Sequence, residues 1–472
     1  MLKKIKLSGE QRKVLTLPIR NPVQIKGVAG SGKSTVALYR ARHLHDTNRN
    51  LFSLPTVGII TFSKPLANYL RSLLPYVGDA DGANVGDGLP VSCQTAHSFA
   101  WKVAADGDPS FRQKKTVSGW KRDKFVEMAL GEVMTHSNDS ILSQPVSFFA
   151  DEISWIKGRG IRDFNRYNDT PRTGRGTAVR VLEGNRKTLW SVFEKYTDCL
   201  SAANSIDFDD YAGIAEQIAS RSDYQPPFTH LVIDEAQDLT QIQLSLLSKS
   251  VSKETKSLTL IADAAQRIYR NGFSWRDVGI NVSGGRSVEL SVDYRNPKGI
   301  ALAATKVLKN EKDRTDFTTL RGAKPGDGKP AVKMSHSNNE AFEWLRQELD
   351  QIDLDSDSVV LLHRRNGALD LICDMLKEFG IPHQHFRRVN NSFPSTGIMV
   401  CTMSSVKGME FDHVFIMGAS KSMIPMSTGV DLDEEAISAE RRLFYTAMTR
   451  AEKTLQIHYQ GEPTMFLEEM LA

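Results

Sequence analysis

The sequence predicts an α/β protein: two parallel sheets flanked by helices, with a helical insertion in the first half. Three observations carry this. Short β-branched runs alternate with longer amphipathic stretches, the pattern of parallel strands joined by covering helices. A glycine-rich phosphate loop sits between one such run and a helix. Residues 100 to about 206 are helical in pattern and hold no convincing strand.

The first series of strands reads "VQIK" at 23, "VGIIT" at 57, "HLVID" at 230, "LTLIAD" at 258 and "SVEL" at 287. A second series reads "VVLLH" at 359, "GIMVCT" at 397, "HVFIMG" at 413 and "TLQIHY" at 454. Of two turn-rich breaks, 77–90 reads as an exposed loop and 321–330 lies within the second half, before its next strand. Hydrophobic content of 40% and charged content of 25% over 472 residues place the chain among globular proteins. Net charge is +4, mildly basic and compatible with a polyanionic partner. Four scattered cysteines form no C-x-x-C pair, which points to reduced thiols and a cytoplasmic location. No apolar run approaches membrane-spanning length, so no membrane association is expected.

"GVAGSGKS" (Gly27 to Ser34) fits the phosphate-loop pattern G-x-x-x-x-G-K-[ST]. Backbone N–H groups of Gly27, Gly30, Ser31 and Gly32 curl around phosphate oxygens, and Lys33 reaches the β and γ phosphates. The Ser34 hydroxyl binds Mg²⁺, with Thr35 opening the helix. "HLVIDEAQD" (230–238) brings Asp234 to a strand end as a second Mg²⁺ ligand. Glu235 follows, placed to deprotonate a water. These residues predict hydrolysis of a nucleoside triphosphate, with ATP and Mg²⁺ as cofactors.

Further stretches lie in a fixed order. They are "LSGEQRKVL" (7–15), "TFSKPLANYLRSLL" (61–74), "TAHSF" (95–99), "DFDDY" (207–211), "ADAAQRIY" (262–269), "LSVDYRNP" (290–297), "TMSSVKGMEFDHVFI" (402–416) and "AERRLFYTAMTRAEKTL" (439–455). With the phosphate loop and the DEAQD strand, they make the chain resemble superfamily 1A DNA helicases of the UvrD/Rep/PcrA kind along nearly its whole length. The resemblance implies two RecA-like domains, the first (1A) from 1–99 and 207–292 with a helical 1B insertion at 100–206, the second (2A) at 293–472. It implies that Gln11 reads the adenine edge, Tyr294 stacks on the base, and Glu410 and Lys407 lie near sugar and backbone. Gln266 senses the γ phosphate, and Arg295 and Arg450 close over it as arginine fingers. Four positions depart from the family pattern: Thr35 for Arg, Ala262 for Gly, Asp293 for Asn and Ser404 for His.

The same resemblance assigns DNA contacts to Phe62, Ser63, His97, Thr402 and Lys407. Tyr269, Phe273 and Trp275 are expected to stack on bases of a passing single strand. The family sets its Trp directly after Q-x-I-Y; here it falls four positions later. In the insertion, nine Arg and Lys lie between 157 and 187 with rings interleaved. Arg159, Arg166 and Arg175 are the named candidates for a DNA backbone path. About a dozen residues separate "LKEFGIPHQHF" (376–386) from "GIMVCTMSS" (397–405), too few for the family's large 2B domain, so 2B is expected to be absent. The expected function is ATP-driven 3′-to-5′ translocation on single-stranded DNA or tailed duplex, with unwinding. The rivals are an ATPase subunit whose protein partner, such as a nuclease or a repair or defence subunit, supplies the output, and an NTP-driven switch without DNA.

Overall fold

A computed structural model describes all residues except 1–6, 8, 49–53, 78–90, 173–174, 176–178, 267–272, 387–395 and 427–433. The chain enters through a 3₁₀ turn, Gly9–Thr16. Then follow β1 (Val23–Gly27), α1 (Lys33–Asn48), β2 (Val57–Thr61), α2 (Lys64–Leu73), β3 (Val91–Thr95) and α3 (Ala96–Gly107). A mostly helical segment holds β4 (Lys115–Val117), α4 (Trp120–Met134), α5 (Val146–Arg159), α6 (Phe164–Asp169), α7 (Glu183–Ala202) and β5 (Ser205–Asp207). The chain returns through α8 (Phe208–Ala219), β6 (His230–Ile233), α9 (Gln241–Lys249), β7 (Ser257–Ala262) and β8 (Ser287–Leu290).

The first sheet has the order β3-β2-β6-β7-β1-β8, every pair parallel. Its central strands are continuous apolar runs because helices cover both faces; Ile59, Ile60, Leu231, Val232, Leu260 and Ile261 are fully buried. Neighbours β6, β7 and β1 end along one edge, so Asp234, Asp263 and the phosphate loop are brought together there. Ligand sites of parallel sheets form at such carboxyl ends.

The single residue Ser291 separates β8 from β9 (Val292–Pro297), which begins the second half. There follow α10 (Lys298–Val307), β10 (Gly322–Lys324), β11 (Ala331–Ser335), α11 (Asn338–Leu349), β12 (Ser358–His363), α12 (Asn366–Glu378), β13 (His383–His385) and β14 (Gly397–Thr402). The chain closes with β15 (Phe411–Met417), α13 (Glu434–Met448), β16 (Ala451–Gln460) and α14 (Met465–Leu471). The second sheet is again parallel, in the order β11-β16-β15-β12-β14-β13. Between β12 and β14 the described elements are one helix and the three-residue β13.

The insertion has its own core, in which Val126, Phe149, Ile156, Tyr167, Leu189 and Tyr196 are buried together. Two details differ from the sequence reading. Helix α3 packs on α8 within the core of the first sheet, through Phe99, Ala100, Val103, Tyr211 and Ala215, so residues 100–107 belong with that sheet. The segment also holds short strands, β4 and β5, paired in parallel. The sequence reading also lacks β9 and β10, which pair in parallel, and, in the two six-stranded sheets, three strands: β3, β11 and β13. All three are sheet edges with mixed burial, where one side meets solvent and no continuous apolar run is required.

Candidate nucleotide cleft

The phosphate loop turns on Gly30 and Gly32, at φ +69° and +77°. A Cβ on Gly30 would fall 1.8 Å from Asp293 Oδ1, and one on Gly32 2.4 Å from Gln11 Nε2. Glycine is therefore required twice over, by backbone conformation and by close approach. Gln11 is buried and donates from Nε2 to Ser31 O at 2.9 Å. Lys33 is also buried; its Nζ reaches Val28 O (2.8 Å), Gly27 O (3.1 Å) and Asp263 Oδ2 (3.0 Å). Ser34 Oγ donates to Asp234 Oδ2 at 2.8 Å.

Three carboxyls crowd this edge. Burial, and then the neighbouring Glu235, push Asp234 up to about 7. Burial likewise pushes Asp238 up to about 7, against the pull of Lys407. Burial also acts on Glu235, but Lys407, Lys33 and Arg450 outweigh it and hold that carboxyl below its ordinary value. Negative charge is thus kept on Glu235, the group placed as base. Glu235 sits at φ +55°, a left-handed conformation that costs a non-glycine residue roughly 1–3 kcal/mol. Gln237 Nε2 holds its Oε2 at 2.5 Å, and Gln237 Oε1 accepts from Asp263 N at 3.1 Å.

The second sheet closes the cleft. Arg450, 2% exposed, donates from Nε to Thr446 O (2.9 Å) and from Nη2 to Gln266 Oε1 (2.7 Å). Burial first, then Arg295, lower its guanidinium to about 10. Arg295 pairs with Glu410 and donates to Thr449 O at 3.1 Å. Burial raises Glu410, but Arg295 outweighs it and keeps the carboxyl low. Tyr294 is partly exposed; its N donates to Gly30 O at 2.9 Å, and its hydroxyl lies near Gly9, beside Gln11.

The residues expected in the cleft therefore meet at one place, four of them (Tyr294, Arg295, Glu410 and Arg450) delivered by the second half of the chain. A divalent cation fits the donor set. Ser34 and Asp234 present adjacent oxygens, and Mg²⁺ is commonly held by one or two carboxylates plus substrate phosphates. Among the described residues, no group of three or more His, Cys, Asp or Glu could hold a metal ion.

Profiles of two families match the chain: the UvrD/REP helicase N-terminal domain over residues 7–280, and the UvrD-like helicase C-terminal domain over 387–462. The chain belongs to the UvrD/REP helicase family. Its relatives in that family include a probable DNA helicase of Mycoplasma pneumoniae, 23% identical over 95% of this chain and 82% of that protein. DNA helicase IV of Escherichia coli is 24% identical over 97% and 70%. The putative ATP-dependent DNA helicase YjcD of Bacillus subtilis is 23% identical over 82% and 50%, so the chain spans about half of that relative.

Several residues that the family pattern assigns to DNA lie elsewhere. Lys407 is a correction: it points into the cleft, 6% exposed, bonded to Gln266 O and 2.6 Å from Asp238 Oδ2. Burying an ammonium requires a carboxylate, and Asp238 supplies it. Arg175 is a second correction: it is 5% exposed and donates to Glu152 Oε2 (2.6 Å) and Phe148 O (2.5 Å). Part of the basic run is paired with acids distant in sequence. Arg172 also grips Glu152, Lys157 meets Asp207 and Asp210, and Arg162 meets Glu216. Arg159 is half-buried, its guanidinium 5.3 Å from the Trp155 ring, and burial lowers its pKa against the opposing pull of Asp277 and Glu435. Of the three named arginines only Arg166 is exposed.

Phe273 and Trp275 meet edge to face at 6.5 Å, half-buried against the first sheet's core. Tyr269 lies outside the described residues. Phe62 is also half-buried there, and Ser63 caps α2 by accepting from Leu66 N at 3.3 Å. His97 packs against Phe208, and burial lowers its pKa, so it offers a neutral ring. Thr402, 8% exposed, bonds to Ser404 and Ser405. Sequence reasoning missed Asp263, Asp238, Asp293 and the buried Tyr445, whose hydroxyl reaches the backbone of Ala29 in the phosphate loop. Asp238 closes the DEAQD run, Asp263 ends the LTLIAD strand and Asp293 departs from the family pattern, so each of the three carried a visible signal.

Proposed function

We propose that this chain is an ATP-driven single-stranded DNA translocase that unwinds duplex DNA in the 3′-to-5′ direction. The observation that carries the reading is the 2.7 Å bond from Arg450 to Gln266. It joins an arginine of the second sheet to the amide that follows the acid end of β7, inside the cleft where hydrolysis occurs. Such a link makes the relation between the two sheets depend on what occupies the cleft. Relatives named as ATP-dependent DNA helicases support the same reading.

In this mechanism Gln11 and Tyr294 hold the base, and Lys33 exchanges Asp263 for phosphate oxygens. Ser34 and Asp234 would hold Mg²⁺, which would supply positive charge against the phosphates. Glu235 takes a proton from the attacking water, its charge kept by Lys407, Lys33 and Arg450. Arg295 and Arg450 offset the charge that spreads over the transferred group. Gln266, bonded to one of these arginines, passes the state of the γ phosphate to the second sheet. Boundaries near residues 107, 206 and 292, dividing a split first domain from its insertion and a second domain, belong to this proposal.

The test is the ATPase rate with and without single-stranded DNA, followed by displacement of strands from 3′- and 5′-tailed duplexes. Stimulated hydrolysis with displacement from the 3′ tail is expected. Stimulation without displacement would assign the output to a partner protein, and no stimulation would refute a DNA motor.

A further inference from the structure

The first sheet carries a second concavity at its opposite edge. Where the chain enters β1, β7 and β8, a cavity of about 780 Å³ opens, the size of a small-ligand or peptide site. Its walls hold Arg221, Lys249, Lys253, Lys256 and Arg286, and among the described residues no aspartate or glutamate lines it. Lys249 is paired with Glu216. Arg221 and Arg286 donate to the backbone carbonyls of Gly107 and Ser283, and Asp108 lies within electrostatic reach of Arg221. Lys253 and Lys256 are exposed. Glu254, the acid on their shared turn, does not line the cavity. The floor is apolar and includes the buried Val251, Leu258 and Ile280.

The cations are held in place. Asn21 N donates to Thr255 O at 2.9 Å, and Lys256 N donates to Ser252 O at 2.9 Å. Thr255 Oγ1 donates to Thr229 O. Lys256 itself takes φ +48°, a conformation unusual outside glycine. A turn fixed in this way loses little entropy on binding.

We propose that this cavity docks an acidic peptide segment of a partner protein, with carboxylates against Lys253, Lys256, Arg221 and Arg286 and an apolar side chain on the Val251–Leu258–Ile280 floor. Charge complementarity fixes the sign of the occupant. The apolar floor and the enclosure favour a peptide over nucleic acid. Single strands are gripped by stacked rings, and the one ring here, Tyr224, is partly buried with its hydroxyl 3.2 Å from Ser250 Oγ. A duplex backbone needs a broad surface, which a pocket this size does not offer. The site lies away from the phosphate loop, so an occupant leaves the nucleotide cleft open.

The experiment uses the full chain and a fluorescein-labelled, capped peptide, Glu-Asp-Glu-Leu-Asp-Leu, read by polarisation. Saturable binding is expected, weakening as salt rises. Lys253→Glu with Lys256→Glu should weaken it at least about tenfold, with melting temperature and DNA-free ATPase unchanged. The milder pair Lys253→Gln with Lys256→Gln should lie between. Replacing the acids by amides, or both leucines by serine, should each weaken the peptide. Absence of binding, or equal binding to both variants, overturns the proposal. So does a thymidine oligonucleotide that loses affinity in the Glu variant while the peptide does not, since that outcome makes the cavity a nucleic-acid path.

Discussion

Arg175→Ala should destabilise the helical insertion and leave the DNA interaction alone. The Arg175 and Glu152 side chains are 4% and 2% exposed, and the guanidinium also lies 5.0 Å from the Phe148 ring. Removing one member of a buried pair costs about 3–5 kcal/mol, because the remaining charge is stranded. Glu152 keeps Arg172 and Tyr167, so the lower end, about 3 kcal/mol, is expected here. That corresponds to a fall in melting temperature of roughly 10 °C. The effect should depend on pH. Burial alone would raise the Glu152 carboxyl, but Arg172 and then Arg175 hold it below its ordinary value. A carboxyl depressed in the folded state stabilises above its unfolded pKa, about 4.3, and that stability is lost as pH falls through the folded value. The gap between wild type and variant should therefore narrow in acid. The assay is thermal melting across pH, paired with single-strand affinity against salt at a temperature where both proteins are folded. Unchanged melting together with a flatter salt dependence would refute the argument and return Arg175 to a DNA-facing surface. The exposed Arg166 is the counterpart: Arg166→Glu should spare melting and lower the slope of log K against log salt by roughly 0.7.

Glu235→Gln should bind ATP and lose hydrolysis by about 10²–10⁴-fold, since it keeps the shape and removes the base; single-turnover rates check this. Arg450→Ala should cut kcat by about 10³-fold or more with a smaller change in nucleotide affinity, read by steady-state kinetics and equilibrium binding. Gly30→Ala should impair both turnover and binding, because its Cβ meets Asp293, whose Oδ1 accepts from the backbone N of Arg295 (2.8 Å) and Asn296 (2.9 Å). Nucleotide affinity within a few-fold of wild type would show that the loop and Asp293 separate easily.

The nucleotide half of the site was legible because its chemistry is contiguous. The phosphate loop and the DEAQD strand each concentrate several required residue types in one short run, and strand and helix signals flank them. The DNA half was not, because residue type does not reveal who neutralises whom. Arg175 looks like a phosphate contact until Glu152, 23 positions earlier, is placed against it. Lys407 sits in a motif tied to DNA, yet Asp238 draws its ammonium into the cleft. Sheet interiors were readable as apolar runs. The edges β3, β11 and β13 were not, since solvent on one side relaxes the demand for apolar residues.

The crossing at Ser291 has a mechanical meaning. Glu10 accepts from Ser291 Oγ (2.9 Å) and from Val292 N (2.7 Å), clamping the one residue between β8 of the first sheet and β9, which opens the second half. The next residue, Gln11, is the amide held against Ser31 O. Under the proposed mechanism, two neighbours on one 3₁₀ turn would serve as base reader and as bearing for the pivot. A joint built this way has no slack between the two tasks. An ill-fitting base tilts the axle as well as loosening the grip, so discrimination among nucleotides should register as lost stroke even when the seat is filled.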